Sequence, residues 1–485
     1  MTRASMSVLS RNDIQNVHDV SLRMLAEVGV RIESLSVLEM LEKGGAEIVP
    51  EKQLAYLDER MITDALGSAP KKVRICSRNG TDFTIPTEGV QLVSTDGQPA
   101  AVLDISSGKK RPSLLRDVID LCVIADAMPE VNFIWPPVVA TDMPPDKSAM
   151  YEFLASIAYS GKHIQHGAAD TEEANFEIDI CTAILGSKEA LRERPIFSIV
   201  CTPISPMRYD QGEIEALVVL ARAGIPVVHL SMAIAGAVTP VSLAGSLAVI
   251  NAENLCGITM SQLASRGAPV IYSSFSGVSD LRTGVFLCGT PEAVLLDTAA
   301  IDMAKHYGLP SCAGGPANVA RSFSVEAGYQ TAMTAMGSML TGADLMVGLG
   351  ELERAGTVSA EKLVMDCELY RWLRRLRNGI EVNGESLAFD AVKRQGPGGT
   401  FLSDPHTLRF MRKDLMIPQI TATHMPGEPD FSMDELLGYS KKRVKDILAT
   451  HKPPLFDSET ARKIGEVAKK YGILMPDGAQ IFQHA

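Results

Sequence analysis

The feature that most constrains the fold of this chain is a unit that recurs seven times between residues 131 and 350. Each unit is a short apolar run that ends in small or polar residues, followed by an amphipathic stretch. Successive runs begin 30 to 45 residues apart, at Val131, Lys162, Ile196, Pro226, Pro269, Pro310 and Asp344. This spacing fits a strand plus a crossover helix. The repeat therefore predicts an α/β fold, a TIM (β/α)8 barrel, whose chemistry lies where the strands end.

The remaining sequence predicts an addition at each end of the barrel. Residues 1–115 combine helical periodicity with alternating strands and an Asn79-Gly80 hairpin signal, which together indicate an N-terminal α+β module. Residues 116–415 are the predicted barrel catalytic domain, and residues 416–485 a helical C-terminal tail. Seven runs leave the barrel one strand short. We expect the eighth strand in the weak apolar run 400–402.

Composition excludes several classes of function. The chain has 485 residues and a net charge of −12, without the basic clusters of a nucleic-acid binder. Its N-terminus lacks the apolar core of a signal peptide, and no uninterrupted apolar run approaches the roughly 18 residues of a membrane span. Eight dispersed cysteines indicate free thiols in a reducing compartment. We expect a cytoplasmic protein, and a homo-oligomer because the stretch 247–263 is apolar around most of its circumference.

Polar and aromatic side chains at the strand ends are candidates for a binding site. They include His166, Arg208, His229, Tyr272, Phe275 and Arg282. His229 and Ser231 should share one face of their strand, since side chains alternate along it. For each histidine the competing interpretation is a hydrogen-bonded core residue. For the two arginines it is a loop salt bridge, with Asp210 or Asp280 as partner.

Metal and phosphate sites have little support in the sequence. There is no HExxH or HxH motif, so no bound metal is predicted. The pairs Gly314-Gly315 and Gly398-Gly399 lie in glycine turns that lack the spacing of a dinucleotide or P-loop fingerprint. We expect these turns to let the chain bend sharply or to let a large group approach the barrel.

Several long strings identify a family. The stretch 201–311 resembles the trimethylamine methyltransferase family of corrinoid-dependent enzymes, as do VHDVSLRMLAEVGVRIES, AGYQTAMTAMGSMLTGADLMVGLGELE, EKLVMDCE and GPGGTFLSDPHTLRFMR. The resemblance runs from about residue 15 to residue 455. It implies a TIM barrel that moves a methyl group from an amine to the cobalamin of a partner corrinoid protein.

The resemblance also narrows the substrate. Family members that use trimethylamine carry pyrrolysine in the region that corresponds to residues 325–330, where this chain has only standard residues. It therefore resembles the pyrrolysine-lacking branch, which implies a quaternary amine. Glycine betaine is the first choice, with proline betaine, carnitine and γ-butyrobetaine as alternatives. A quaternary nitrogen leaves as a neutral amine without a proton, so no catalytic acid is assigned.

If the substrate is a quaternary amine, as the resemblance implies, the candidate residues take specific roles. We expect a cation-π cage for the ammonium group from Trp135, Tyr272, Phe275 and Tyr329. We expect His166, Arg208, His229 and Arg282 to donate to the substrate carboxylate, and the two glycine pairs to admit the corrinoid. Two other classes stay open: a barrel lyase or aldolase with a Schiff-base lysine or a divalent metal, and a quaternary-amine binding barrel without turnover.

Overall fold

A closed barrel of eight parallel strands forms the centre of the protein. The computed structural model describes residues 3–87, 89–421 and 432–473. The strands follow one another around the barrel in chain order: β1 Leu92–Thr95, β2 Phe133–Ile134, β3 His163–Gly167, β4 Phe197–Cys201, β5 Val227–Ser231, β6 Val270–Ser274, β7 Ser311–Gly314 and β8 Leu345–Leu349. The predicted TIM barrel is confirmed, and the seven predicted runs supply strands β2 to β8.

The expected position of the eighth strand was wrong. Barrel closure is made by β1, which pairs with β8 through Leu92 and Leu345 and with β2 through Ser94 and Phe133. Residues 400–402 form no strand, and Leu402 is 92% exposed. The run that forms β1 stands among short hairpin strands, so its sequence resembles one more of them. The barrel therefore begins before residue 116, and the division into three domains otherwise stays a prediction.

Helices surround the barrel and extend beyond it at both ends of the chain. They are α1 Arg11–Arg23, α2 Leu35–Gly44, α3 Glu59–Ser68, α4 Leu115–Ala127, α5 Ser148–Ala158, α6 Thr171–Leu185, α7 Lys188–Glu193, α8 Gln211–Ala223, α9 Leu243–Ala264, α10 Pro291–His306, α11 Val325–Thr341, α12 Ala360–Arg377, α13 Phe389–Gln395, α14 Pro405–Asp414, α15 Met433–Thr450 and α16 Ser458–Lys470.

Local sequence fixes where the barrel helices begin and end. A polar side chain accepts hydrogen bonds from the free N–H groups of the first turn, and a left-handed glycine ends the last turn. Asp170 and Gly186 bound α6, Asp210 and Gly224 bound α8, and Ser324 and Gly342 bound α11. Asp210, which was considered above as a salt-bridge partner of an arginine, therefore serves as the cap of α8.

A hairpin covers the amino-terminal end of the barrel. Strands Val73–Ile75 and Phe83–Ile85 pair antiparallel around the predicted Asn79-Gly80 turn, which is confirmed. Their buried side chains belong to the same cluster as the barrel interior. His163, at the start of β3, bonds the Cys76 carbonyl oxygen and the Ser198 hydroxyl, both at 2.9 Å. This end is closed, so access is from the other end, where the strands finish.

Helix α9 is the one helix in the described ranges that is both long and apolar enough to cross a membrane. Its length and composition would suit a membrane span, but 83% of its most apolar 18-residue window is buried inside the protein. It packs against α1, α3, α8, α10 and β5. Packing within the chain accounts for its apolar circumference, so the expected homo-oligomer loses this support and stays a prediction.

The contact between α9 and β5 is close because of one glycine. The His229 ring points outward from β5, and its Nε2 atom lies 3.0 Å from the Ser261 hydroxyl. A Cβ atom on Gly257 would lie 2.4 Å from His229 Nδ1. Burial lowers the pKa of His229 to about 3. The imidazole is therefore a neutral core residue.

Replacing Gly257 with alanine should destabilise the protein. The added methyl group must displace the His229 ring or the helix, which costs about 1–3 kcal/mol in a packed core. The matched control is Gly465→Ala in α16, where a Cβ atom would meet nothing within 4 Å and helix propensity should add about 0.5–1 kcal/mol. Thermal unfolding of both variants provides the measurement, and equal shifts would contradict the packing described.

The neutral state of His229 predicts a pH dependence of stability. Because its folded pKa lies below that of an unfolded histidine, the unfolded chain binds more protons between pH 6.5 and 3. Wild-type stability should then fall with decreasing pH by up to about 1.4 kcal/mol per unit from this residue. His229→Gln removes this contribution, so the stability difference between variant and wild type should shrink on acidification. Urea unfolding at several pH values would show parallel curves if the prediction is incorrect.

Candidate functional site

The open end of the barrel, where the strands finish, is the candidate site and is called the barrel mouth below. One hydrophobic cluster fills the inside of the barrel and shows which side chains point inward. Its members on the strands include Val200, Val228, Leu230, Ile271, Cys312, Leu345 and Val347. Alternation along each strand then places the following residues inward at the mouth: Asp96, Trp135, Gln165, Thr202, Met232, Phe275 and Gly314.

Two aromatic rings stand on opposite sides of the barrel mouth. Trp135 follows β2 and Phe275 follows β6, and both pack on the interior cluster while remaining partly exposed. Each ring covers a glycine: a Cβ atom would lie 2.3 Å from the Trp135 ring at Gly97 and 2.2 Å from the Phe275 ring at Gly314. The glycines thus make room for the rings. Aromatic faces at a partly dry site attract cations.

Gln165 presents an amide to the barrel interior without a partner. In β3 its neighbours Ile164 and His166 point to the helix layer, so Gln165 points inward. The side chain is 1% exposed, and neither its oxygen nor its nitrogen has a hydrogen-bond partner among the described residues. The Trp135 indole Nε1 is also buried and unpartnered there. Such groups are costly to bury unless a ligand satisfies them.

Two buried carboxyl groups lie at the same edge of the barrel mouth. Asp96 follows β1, and Glu351 follows β8. Burial raises the pKa of Asp96 to about 7. Burial, reinforced by the negative charge of Asp96, raises the pKa of Glu351 well above its usual value. The sequence analysis identified neither residue. Asp96 directly follows β1, so it could be found only after the run 92–95 had been recognised as a barrel strand. Glu351 lies two residues after the end of β8.

Three of the predicted binding residues point away from the barrel interior. His166 Nδ1 lies 2.5 Å from Glu177 Oε1 on α6, and the Tyr272 hydroxyl donates to Asn251 on α9 at 3.0 Å. His229 contacts Ser261, as described above. The predicted shared face of His229 and Ser231 is observed, since Ser231 bonds Glu253 on α9, but that face is the outer one. These residues hold helices on the barrel.

Three further candidates lie outside the interior. Arg208 forms a bidentate ion pair with Glu33, in the N-terminal part of the chain, at 2.9 and 3.1 Å. Arg282 is 88% exposed in its side chain and pairs with Asp280, which matches the loop salt bridge considered above. Tyr329 is 61% exposed on α11. The structure therefore places Trp135 and Phe275 at the barrel mouth, on opposite sides of it, and places none of the six other predicted substrate residues there.

The glycine pairs do not provide open space at the barrel mouth. Gly314 lies beneath the Phe275 ring, and a Cβ atom on Gly315 would lie 2.6 Å from Met346 Cγ. Gly398 and Gly399 are exposed in the loop that follows α13, where a Cβ atom on Gly399 would lie against the Gln395 carbonyl oxygen and one on Gly398 would meet nothing within 4 Å. Close packing of protein atoms, rather than admission of a cofactor, explains the first pair.

An exposed apolar rim surrounds one side of the barrel mouth. Its residues lie on the loops that follow β4, β5 and β6: Ile204, Met232, Val238, Val241, Leu281 and Val285. Exposed apolar residues gathered beside a cleft typically mark a surface for a ligand or partner.

Comparison with known proteins agrees with this architecture. A family model described as trimethylamine methyltransferase (MTTB) matches residues 1–471. The chain is 29% identical to a glycine betaine methyltransferase of Desulfitobacterium hafniense, covering 94% of this chain and 95% of that protein. It is 30% identical to a trimethylamine methyltransferase MttB of the same species, covering 83% and 81%.

A solved structure supports the fold. The monomethylamine methyltransferase MtmB of Methanosarcina barkeri aligns with a TM-score of 0.53 at 12% identity, covering 96% of this chain and 88% of that one. The family match extends over nearly the whole chain. The protein is a methyltransferase and belongs to the trimethylamine methyltransferase family.

Proposed function

We propose that this protein transfers a methyl group from a quaternary amine, with glycine betaine as first choice, to the cobalamin of a partner corrinoid protein. The observation that carries the proposal is the pair of partly exposed aromatic rings, Trp135 and Phe275, at the mouth of the barrel. The similarity to a glycine betaine methyltransferase over 94% of the chain supports the substrate class. The product is a tertiary amine, dimethylglycine for glycine betaine. Eight buried, unbridged cysteines support a cytoplasmic location.

The composition of the barrel mouth suits a quaternary nitrogen. The carbon–nitrogen bond breaks with its electron pair remaining on nitrogen, so the leaving group is a neutral amine and needs no proton. The tasks of the protein are then to orient the methyl group and exclude water. Trp135 and Phe275 supply faces for the ammonium group.

The substrate carboxylate requires donors other than those predicted. The two histidines point outward, and the two arginines are ion-paired elsewhere. Gln165 Nε2 and Trp135 Nε1 are buried donors that lack a partner in the described ranges. We propose that these two groups bind the carboxylate, because a charged acceptor would satisfy both.

The apolar rim fits the approach of a flat macrocycle. When the partner protein is docked, its reduced corrinoid supplies the cobalt nucleophile that accepts the methyl group. Met232, Leu281 and Val285 are exposed beside the mouth and offer an apolar surface on the side of Phe275. Their role is to dock the partner and keep water from the reacting methyl group.

Replacing the aromatic residues should impair catalysis selectively. Trp135→Leu and Phe275→Leu remove the cation-π attraction, worth about 0.5–2 kcal/mol per ring, and should each raise KM for glycine betaine by roughly 2- to 30-fold. The matched control, Phe389→Leu, changes a 72% exposed ring on α13 and should leave KM unchanged. The assay follows methylcobalamin formation from reduced cobalamin with a panel of quaternary amines. Binding without turnover for every amine would instead favour a binding barrel.

Gln165 provides a test of carboxylate recognition. Gln165→Met keeps the volume but removes the amide, so KM for glycine betaine should rise about tenfold or more, from the loss of a hydrogen bond to a charged group. Tetramethylammonium lacks a carboxylate, and its binding should be unaffected by the substitution. A similar loss for both ligands would show that Gln165 acts through packing.

A further inference from the structure

The strand ends bring two acids together at one edge of the barrel mouth. Asp96 N donates to the Leu349 carbonyl oxygen at 3.1 Å, and Thr95 is paired with Leu349 across β1 and β8. Glu351 follows two residues after Leu349, and its Oε2 atom would lie 3.6 Å from a Cβ atom on Gly348. The two carboxyl groups thus belong to one local cluster.

Each acid keeps one oxygen free for a ligand. Asp96 is 6% exposed and Glu351 is 0% exposed, and Asp96 Oδ2 and Glu351 Oε2 have no hydrogen-bond partner within residues 3–87, 89–421 and 432–473. The other oxygen of Glu351 accepts from Ala355 N at 2.7 Å and lies 3.8 Å from the Cys288 thiol. Buried carboxylates without partners are rare in proteins, because their desolvation is uncompensated.

The neighbouring charges do not neutralise the pair. The buried ammonium of Lys362, on α12, is held by both oxygens of Asp366 at 2.7 and 2.8 Å. The cluster therefore has three carboxyl groups and one ammonium, and Arg354, on the turn next to Glu351, adds a partly buried guanidinium near Cys288. Neither Lys362 nor Arg354 forms an ion pair with Asp96 or Glu351 among the described residues, so ionisation of both acids is unfavourable without a further cation in contact with them.

The aromatic site adjoins this cluster. The Trp135 ring covers Gly97, the residue directly after Asp96. A cation on the inner face of Trp135 would lie beside Asp96. The geometry thus combines an aromatic face with an acid pair that lacks a counter-ion.

We propose that Asp96 and Glu351 form the anionic subsite for the ammonium group of the substrate, and that the pair gives up a proton to solvent when this cation binds. The inference rests on the proposed quaternary-amine substrate and extends it to the acids. In the free protein the carboxyl groups retain protons that the cation replaces. The subsite selects positively charged head groups over neutral ones of the same shape.

Isothermal titration calorimetry of the full chain with tetramethylammonium tests this inference. Titrations in phosphate and in Tris, whose ionisation enthalpies differ, should show release of up to about one proton per cation. The affinity should rise by up to about tenfold from pH 6 to pH 7. The neutral-headed isostere 3,3-dimethylbutanoate should release no proton. Equal heats in both buffers, or an affinity for tetramethylammonium that is independent of pH, would overturn the proposal.

Variants separate the acids from other sources of protons. The double variant Asp96→Asn/Glu351→Gln keeps the shape of the cluster, and should lose proton release and bind tetramethylammonium at least tenfold more weakly. The control Glu466→Gln changes an acid on α16 whose side chain is 64% exposed, and it should match the wild type. The wild-type titrations do not depend on whether the double variant folds. Retained proton release in a folded double variant would contradict the assignment.

The methyl-transfer assay distinguishes this inference from the proposed function. Transfer from glycine betaine to reduced cobalamin, with buffer-independent heats of cation binding, would overturn the acid subsite and leave the function standing. Cation binding with proton release, but without transfer from any quaternary amine, would support the subsite and contradict the function.

Discussion

The pairing of the first barrel strand with the last is the contact on which the site depends. Leu92 and Val93 of β1 pair with Leu345 and Met346 of β8, although about 250 residues separate them in the chain. Closure removes the free edges that an open sheet would expose. It also places Asp96 next to the segment that contains Glu351. Neither acid would be buried without this pairing, so the fold and the electrostatics of the barrel mouth are linked.

An anionic site has a consequence for the proposed reaction. Attraction between the acids and the ammonium group stabilises the bound substrate, but it weakens as nitrogen loses its charge in the transition state. Interactions of this kind lower KM without raising kcat. In the proposed site the acids can take up a proton again when the nitrogen loses its charge, so they need not stay ionised. This exchange limits how much attraction to the bound substrate is lost in the transition state. Trp135 and Gln165 do not change charge, and in the proposed site they would position the substrate.

The sequence predicted much of the fold and less of the site. The spacing of apolar runs located β2 to β8, since each parallel strand is buried on both faces and is strongly apolar. Because both faces are buried, the sequence does not show which residues of a strand point into the barrel and which point to the helices. In VVHLS, for example, either set of alternating residues could face the barrel interior. His229 and Tyr272 were therefore expected inside and lie outside. Trp135 and Phe275 were predicted and do lie at the mouth, whereas Asp96 was missed with β1.

The position of Glu351 is set by a strained turn. Glu353, Arg354 and Ala355 all have positive φ, at 56°, 61° and 58°, which costs roughly 1–2 kcal/mol for each residue that is not glycine. The hydrogen bond from Ala355 N to Glu351 and the ion pairs of Glu353 with Lys110 and Arg321 offset part of this cost. Strain of this kind persists where the surrounding structure enforces it and is concentrated at functional sites. The turn binds one oxygen of Glu351 through the Ala355 N–H, and the other oxygen has no hydrogen-bond partner among the described residues, which agrees with the proposed cation subsite.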